Sequence, residues 1–334
     1  MPPETPRKLK EEEGNTDQAL RPASWDAYIG QERIKDNLRI LIEAAKRRGE
    51  AADHLLFSGP AGLGKTTLAH LVAKEMGGSM KVTSGPAIEK MGDLAAILTN
   101  LNPGEVLFID EAHRINRMIE EVLYPAMEMR KLHVVVGKGP SARTLLLDLP
   151  PFTLVAATTR ENLLSQPLRS RFGATFRLGY YNSAEIAEIL SRSARILGTA
   201  IEPTAINILA RASRGTPRVA NRLLRRARDY AEVHGKLSID EAVSMGTLEL
   251  LEIDELGLEP QDRKLLEIII GKFGGGPVGV GTLAAALNED RGVIEDIYEP
   301  YLMALGFLQR SSAGRIALPA AYDHLGVVRR GDLL

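Results

Sequence analysis

The sequence predicts an α/β fold: a parallel sheet covered by helices, then an all-helical domain, then a small domain of three helices and a hairpin. Three observations carry it. His54-Leu55-Leu56-Phe57-Ser58 is an apolar run leading through a glycine-rich turn into a helical run, Thr67-Leu68-Ala69-His70-Leu71-Val72-Ala73. Glu105-Val106-Leu107-Phe108-Ile109-Asp110-Glu111 is a second apolar run, and it ends in two carboxylates. From Trp25 to Arg177 strand-like and helix-like runs alternate, the signature of a parallel sheet covered on both faces.

The elements follow in order. Met1 to Asp17 carries Lys8, Lys10 and a Glu11-Glu12-Glu13 run without an apolar stretch, which predicts a disordered tail rather than a signal peptide. Ile34 to Arg48 is a helix by periodicity, with Ile34, Leu38, Leu41, Ile42 and Ala45 on one stripe. After the glycine turn and its helix come a strand around Lys81-Val82-Thr83, a helix through Asp93-Leu94-Ala95-Ala96-Ile97-Leu98, and the carboxylate-ended strand. Phe152 to Thr159 is a further buried strand, ending in the hydroxyls of Thr158 and Thr159. Between these two strands Leu132 to Leu149 breaks the pattern: two strand-like runs flank Gly137-Lys138-Gly139-Pro140 and predict a protruding hairpin. Leu145 and Leu147 share one of its faces. Periodicity alone does not separate a half-buried hairpin from a partner-binding surface.

Ser183 to Gly246 reads as all helical, with a capping serine at Ser183, a start at Thr204 and a third start at Pro217 in its first turn. From Asp254 the chain gives helices over Pro260–Ile270, Thr282–Leu287 and Val293–Leu305, then short strands at Phe307–Arg310 and Arg315–Leu318. Three helices and a two-stranded wing predict a winged helix. The expected boundaries are a tail 1–19, a large domain 20–182 with its hairpin 132–149, a helical domain 183–253, a winged helix 254–328 and a tail 329–334.

Composition sets limits. The 334 residues give room for two or three domains, and no run approaches the ~18 apolar residues of a membrane span. There is no cysteine, which removes disulfides, thiol catalysis and thiolate metal sites and fits a cytoplasmic enzyme. The net charge of −1 conceals a cluster of Arg211, Arg214, Arg218, Arg222, Arg225, Arg226 and Arg228, set against an acidic stretch from Glu252 to Asp262. Bulk charge therefore does not argue against nucleic acid.

Gly59-Pro60-Ala61-Gly62-Leu63-Gly64-Lys65-Thr66 fits G-x-x-x-x-G-K-[ST], the phosphate-binding loop. A strand, a glycine turn and a helix N-terminus aim backbone N–H groups at one point, which suits a polyphosphate. Lys65 is placed for the β/γ-phosphates and Thr66 for Mg²⁺. Asp110 ends a strand where it meets that ion, and Glu111 is placed to polarise water. Ala112-His113 complete the letters D-E-A-H, but the chain lacks the second domain of such a helicase. Arg169 and Arg171 follow the Thr158-Thr159 strand, where an arginine could complete a neighbour's site. Arg218 could bring the helical domain onto the γ-phosphate, whereas Arg222, Arg225, Arg226 and Arg228 read as a solvated face. Arg291, Arg310 and Arg315 are candidate contacts to a DNA backbone.

Ser84-Gly85-Pro86-Ala87-Ile88-Glu89-Lys90, Leu123-Tyr124-Pro125-Ala126-Met127-Glu128, Gly139-Pro140-Ser141-Ala142-Arg143, Ala157-Thr158-Thr159-Arg160, Arg214-Gly215-Thr216-Pro217-Arg218 and Lys272 to Gly279, together with the phosphate loop, resemble the bacterial RuvB family from Leu20 to Gly326. The resemblance implies an AAA+ ATPase with a helical lid and a winged helix: a homo-hexameric ring that encircles duplex DNA and migrates Holliday junctions in recombination and repair. It also implies a RuvA-like junction-binding partner, a RuvC-like resolvase, ATP/ADP and Mg²⁺. By motif position Leu20, Arg21 and Tyr181 are implied on the adenine side, and Gly62, Lys65, Thr66 and Thr67 at the phosphates. Glu128, Met129 and Arg130 fall beside the nucleotide near the subunit interface. Thr159, or its neighbour Thr158, resembles sensor 1, Arg171 the trans-acting finger and Arg218 sensor 2. Arg291, Arg310 and Arg315 fall on DNA-contacting positions, and Leu145 and Leu147 on the element that docks the RuvA partner. Ala61 stands where the family usually has Pro, Ala112 where it has Ile, and Met129-Arg130 where it has an acidic-aromatic pair. The last departure bears on nucleotide affinity or ring assembly. A clamp-loader-like or regulatory AAA+ switch is the other class of function to separate, and its C-terminus would be a helical collar rather than a winged helix.

Overall fold

A computed structural model describes residues 18–136 and 143–329. Residues 1–17 and 330–334 of the expected tails, the turn Gly137-Lys138-Gly139-Pro140 and most of the Gly139–Arg143 motif lie outside them. The chain divides into two units, 1–59 with 63–179 and 60–62 with 180–334.

In the first unit α1 (Glu32–Arg48) buries Leu38, Ile42 and Ala45 and ends at Gly49 in the left-handed conformation. Then follow β1 (Leu55–Ser58), α2 (Lys65–Glu75), β2 (Met80–Ser84), α3 (Met91–Thr99), β3 (Val106–Asp110) and α4 (Arg117–Met129). After β4 (Lys131–Val136) and β5 (Arg143–Asp148) come β6 (Thr153–Thr158), α5 (Gln166–Arg169) and β7 (Ala174–Arg177). The five-stranded sheet is parallel, in the order β2-β3-β6-β1-β7. Its central strands are buried along nearly their whole length, which is why they read as unbroken apolar runs rather than alternating ones. The register sets Ser58 beside Thr158, Ile109 beside Ala156 and Ser84 beside Asp110. The carboxyl ends of β1, β3 and β6 therefore share one edge.

β4 and β5 pair antiparallel, with Leu132 opposite Leu147 and Val134 opposite Leu145. Leu132 is fully buried, while every residue of β5 is exposed. The expected hairpin is present, and its second strand turns exposed side chains outward.

The second unit begins with α6 (Ser183–Ile196), α7 (Pro203–Arg211), α8 (Pro217–Val233) and α9 (Glu241–Leu250). Ser183 is not the cap of α6. Asn182 accepts the Glu185 N–H at 2.9 Å and the Glu185 carboxylate returns to the Asn182 N–H at 2.9 Å, a capping box that displaces the serine into the first turn. The C-terminal part holds α10 (Pro260–Glu267), extended by a π turn Ile268–Lys272, then α11 (Val280–Leu287). Next, α12 (Arg291–Val293) and α13 (Glu299–Ala304) are joined through a second π turn, Ile294–Tyr298. β8 (Leu308–Arg310) and β9 (Arg315–Ala317) form the wing. One more helix, α14 (Pro319–Leu325), follows and adds Ala321 and Tyr322 to the core of this part.

Candidate functional site

Glycine is obligatory in the turn after β1 for reasons visible in the packing. Gly59 has φ 137°, and a Cβ there would lie 2.5 Å from the Leu178 carbonyl oxygen. Gly64 has φ 96°, and its Cβ would meet the Tyr28 hydroxyl at 2.7 Å. Neither position admits a side chain. Pro60–Gly62 cluster with the second unit, where a Cβ on Gly62 would come within 3.1 Å of the Arg218 Cβ. In that unit Gly62, Thr216 and Arg218 line a cleft of about 220 Å³ together with Arg214 and Tyr301. The loop residue and the sensor-type arginine thus occupy one cleft.

Lys65 opens α2 and is 9% exposed, and its ammonium donates to the Gly59 carbonyl at 2.8 Å. Burial pulls it down to about 8, against the opposing pull of the Asp110 carboxylate. A dehydrated ammonium beside backbone N–H groups is suited to a dense anion. Thr66 and Thr67 follow it, both half-buried at the start of α2.

At the end of β3, Asp110 Oδ1 accepts the Glu111 N–H at 2.9 Å. Glu111 has φ 48° and ψ 42°, a left-handed conformation costly for a non-glycine residue. The carboxylate it presents is half exposed and pairs with Arg114 at 3.1 Å. Thr158 is 1% exposed; its Oγ1 accepts the Arg160 N–H at 3.0 Å and shares a 3.0 Å hydrogen bond with His113 Nδ1. Thr159, the next residue, is only half-buried. His113, two residues past the acidic pair, enters the sequence only as the last letter of D-E-A-H, and nothing in that spelling shows that it reaches the end of β6.

Among the described residues no cluster of three or more His, Asp or Glu could hold a metal. Hard oxygen donors remain: the Thr66 hydroxyl and the Asp110 carboxylate. That sparse set fits Mg²⁺, which is commonly bound through one or two protein oxygens together with substrate phosphates.

Arg171 is 21% exposed in its side chain. Its guanidinium lies 4.3 Å from the Tyr124 ring centroid, donates to the Pro167 carbonyl at 2.6 Å and pairs with Glu128 at 3.1 Å. Tyr124 and Pro167 are thus supports that the pattern around Arg171 did not disclose. Met129 is 57% exposed, and Arg130 ends α4 in the left-handed region at φ 54°. Leu20 is buried, while Arg21 is exposed and hydrogen-bonded to His70 at 3.1 Å. In the second unit Tyr181 is buried and its N–H donates to the Gly215 carbonyl at 2.9 Å.

The three winged-helix arginines are not equivalent. Arg291 is exposed at the first position of α12. Arg310 and Arg315 converge on Glu299, a fully buried carboxylate at the start of α13: Arg310 Nε donates at 3.1 Å and Arg315 Nε at 2.6 Å. Arg310 stays 47% exposed in its side chain, whereas Arg315 is 10% exposed and also pairs with Glu295 at 3.2 Å. Arg315, at the start of β9, is thus paired with two carboxylates, whereas Arg310 keeps about half of its side chain exposed. The arginines of α8 are also less free than a solvated face implies, since Arg222 pairs with Glu259 at 2.6 Å and Arg226 with Asp229 at 3.1 Å.

Comparison with known proteins agrees along the whole described chain. Residues 20–178 match the Holliday junction DNA helicase RuvB P-loop domain, 181–254 the RuvB AAA lid domain, and 255–326 the RuvB C-terminal winged helix domain. The chain is 56% identical over 325 residues to the Holliday junction branch migration complex subunit RuvB of Dehalococcoides mccartyi, covering 97% of this chain and 93% of that one. It is 59% identical over 311 residues to the subunit of the same name from Chloroflexus aggregans, covering 93% and 89%. Among solved structures, the Thermotoga maritima RuvB Holliday junction branch migration motor superposes with a TM-score of 0.86 at 47% identity, covering 93% of this chain and 99% of that one.

Proposed function

The chain belongs to the RuvB family, and from that membership we infer how its residues divide the labour of an ATP-driven motor that migrates Holliday junctions. One observation carries the assignment: the register of β1, β3 and β6 brings the phosphate loop, the Asp110-Glu111 pair and the Thr158-Thr159 pair to one sheet edge. Ligands of open parallel sheets bind at that edge. The loop N–H groups and Lys65 neutralise the triphosphate, while Leu20, Arg21 and Tyr181 take the adenine side. Thr66 and Asp110 would hold Mg²⁺, whose chemistry is to offset phosphate charge. Glu111 orients and polarises the attacking water, Thr159 positions it from the end of β6, and Arg218 reads the γ-phosphate from the helical lid.

Arg171 supplies transition-state charge to a neighbouring protomer of a homo-hexamer, with Glu128, Met129 and Arg130 beside it at the interface. Stacking on Tyr124 and the Glu128 pair keeps its guanidinium ordered before that neighbour arrives. Arg291, Arg310 and Arg315 contact the DNA backbone, Arg315 more weakly because Glu299 and Glu295 already share its charge. The exposed β5 strand, with Leu145 and Leu147, docks a RuvA-like protein, and a RuvC-like resolvase completes the junction machinery. The chain acts in the cytoplasm; among the described residues no helix is long and apolar enough to cross a membrane.

Nucleotide binding measured beside turnover tests this division. Lys65→Ala impairs ATP-analogue binding, because it removes ground-state charge neutralisation. Glu111→Gln binds as the wild type does and does not turn over, because its role lies in the transition state. A Glu111→Gln variant hydrolysing ATP at the wild-type rate removes the assignment.

A further inference from the structure

The nucleotide chemistry assigned above does not call for the buried ion pair between Arg214 and Asp262. Asp262 is fully buried in the first turn of α10, where its carboxylate also accepts the Glu259 N–H at 2.9 Å. Arg214 is 9% exposed and grips it with both terminal nitrogens, Nη1 at 3.0 Å and Nη2 at 3.1 Å. The guanidinium also stacks on Tyr301, 4.7 Å from the ring centroid, and the Tyr301 hydroxyl donates to the Leu256 carbonyl at 2.5 Å. One side of this cluster is thus winged helix. The other side is the turn that leads into α8.

That turn is conformationally committed. Arg214 adopts φ 57°, unusual for a residue with a side chain, and Gly215 follows at φ 59°, where a Cβ would lie 2.8 Å from the Tyr181 carbonyl oxygen. The Gly215 carbonyl holds the Tyr181 N–H, and Arg218 lies in the first turn of α8 immediately after. Arg214 therefore joins a winged-helix carboxylate to the short segment that carries Arg218 and holds the Tyr181 N–H, the two residues assigned to the nucleotide. A buried ion pair is weak evidence of stability, since apolar residues of similar volume commonly serve as well, and its better-attested use is to fix one arrangement. The exposed Arg222–Glu259 pair runs parallel to it between the same elements. Exposed pairs of that kind contribute little alone.

We propose that the Arg214–Asp262 pair is a positioning element that locks the Arg218 turn to the winged helix, so that displacement of Arg218 by bound nucleotide moves the DNA-binding domain with it. The proposal rests on the assignment of Tyr181 and Arg218 to the nucleotide.

Amide hydrogen exchange of the intact chain, with and without a non-hydrolysable ATP analogue and with no DNA present, tests it. In the wild type, nucleotide slows exchange at 215–221 and also at 261–267, each by about tenfold, the size of a ~1.4 kcal/mol change in local opening. In the double variant Arg214→Met with Asp262→Leu, which exchanges the ion pair for an apolar one, slowing persists at 215–221 and is lost at 261–267. DNA stimulation of ATP turnover in that variant, at saturating DNA and ATP, falls about fivefold or more. Slowing confined to 215–221 in the wild type overturns the proposal, and so does a double variant that keeps both responses. Slowing at neither segment removes the Arg218 assignment and the proposal with it. Because the wild-type comparison stands without any variant, misfolding of the double variant cannot rescue the idea.

Discussion

Replacing Thr158 by valine tests the proposal that Thr158 serves packing and Thr159 serves catalysis. The substitution keeps the volume of a side chain that is 1% exposed and deletes one oxygen. That oxygen makes two hydrogen bonds of 3.0 Å, to the Arg160 N–H and to His113. A net worth of ~0.5–1.5 kcal/mol for each gives about 1–3 kcal/mol, and the added methyl returns part of it, leaving roughly 2 kcal/mol. For a unit of this size that corresponds to a fall in Tm of about 4–8 °C. Scanning calorimetry and steady-state ATP turnover, on Thr158→Val and Thr159→Val in parallel, read the two roles separately. Thr158→Val is expected to lose the full 4–8 °C and to retain most turnover at temperatures where it is folded. Thr159→Val keeps its Tm within about 1 °C and loses about tenfold or more in kcat, the cost of one transition-state hydrogen bond of ~1.4 kcal/mol. Wild-type stability for Thr158→Val refutes the packing argument. An inactive, folded Thr158→Val beside an active Thr159→Val transfers the sensor role to Thr158.

Three further outcomes follow from the same geometry. Glu105 is held down at about 2, chiefly by the Ser79 hydroxyl and then by the Asn102 backbone N–H and side-chain amide. A carboxyl depressed in the folded state stabilises it above the ordinary value of 4.5, and that stabilisation is lost as pH falls from 4.5 toward 2. Glu105→Gln therefore lowers the urea midpoint near neutrality, and the gap to wild type narrows through that acid window; a gap constant with pH contradicts the cause given. Arg171→Ala is inactive alone and partly rescued when mixed with Lys65→Ala protomers, since some interfaces then pair an intact loop with an intact finger; co-assembled mixtures with no rescue at any ratio exclude a shared site. Arg310→Ala flattens the plot of log DNA affinity against log salt by about 0.9, whereas Arg315→Ala changes that slope less and lowers Tm more, because its charge is spent on Glu299 and Glu295. Equal slope changes for the two arginines contradict that distinction.

The nucleotide site was legible because its chemistry is local. Gly59 to Thr66 and the run ending at Asp110-Glu111 are contiguous segments, and unbroken apolar strands can only be buried on both faces. The edge strand β7 was missed because it is four residues long and alternates between half-buried and exposed, leaving little periodic signal. The fate of the wing arginines was not legible either. Glu299 lies 11 and 16 residues from Arg310 and Arg315, and only folding of the wing brings the three together. The Arg214–Asp262 pair spans 48 residues and belongs to the same class of tertiary fact. The exposure of Leu145 and Leu147, which periodicity left open, appears only in the folded hairpin, where every residue of β5 is exposed.

Strand exchange in a synthetic four-way junction with homologous arms, driven by the purified chain with ATP, Mg²⁺ and a RuvA-type partner, tests the central claim most directly. The account predicts that the wild type resolves the junction into two duplexes only while ATP is hydrolysed, and that Glu111→Gln assembles on the same junction without moving it. ATP turnover with no strand movement, under conditions where chain and junction are shown to associate, would contradict it and would return the chain to the class of ATP-controlled switches.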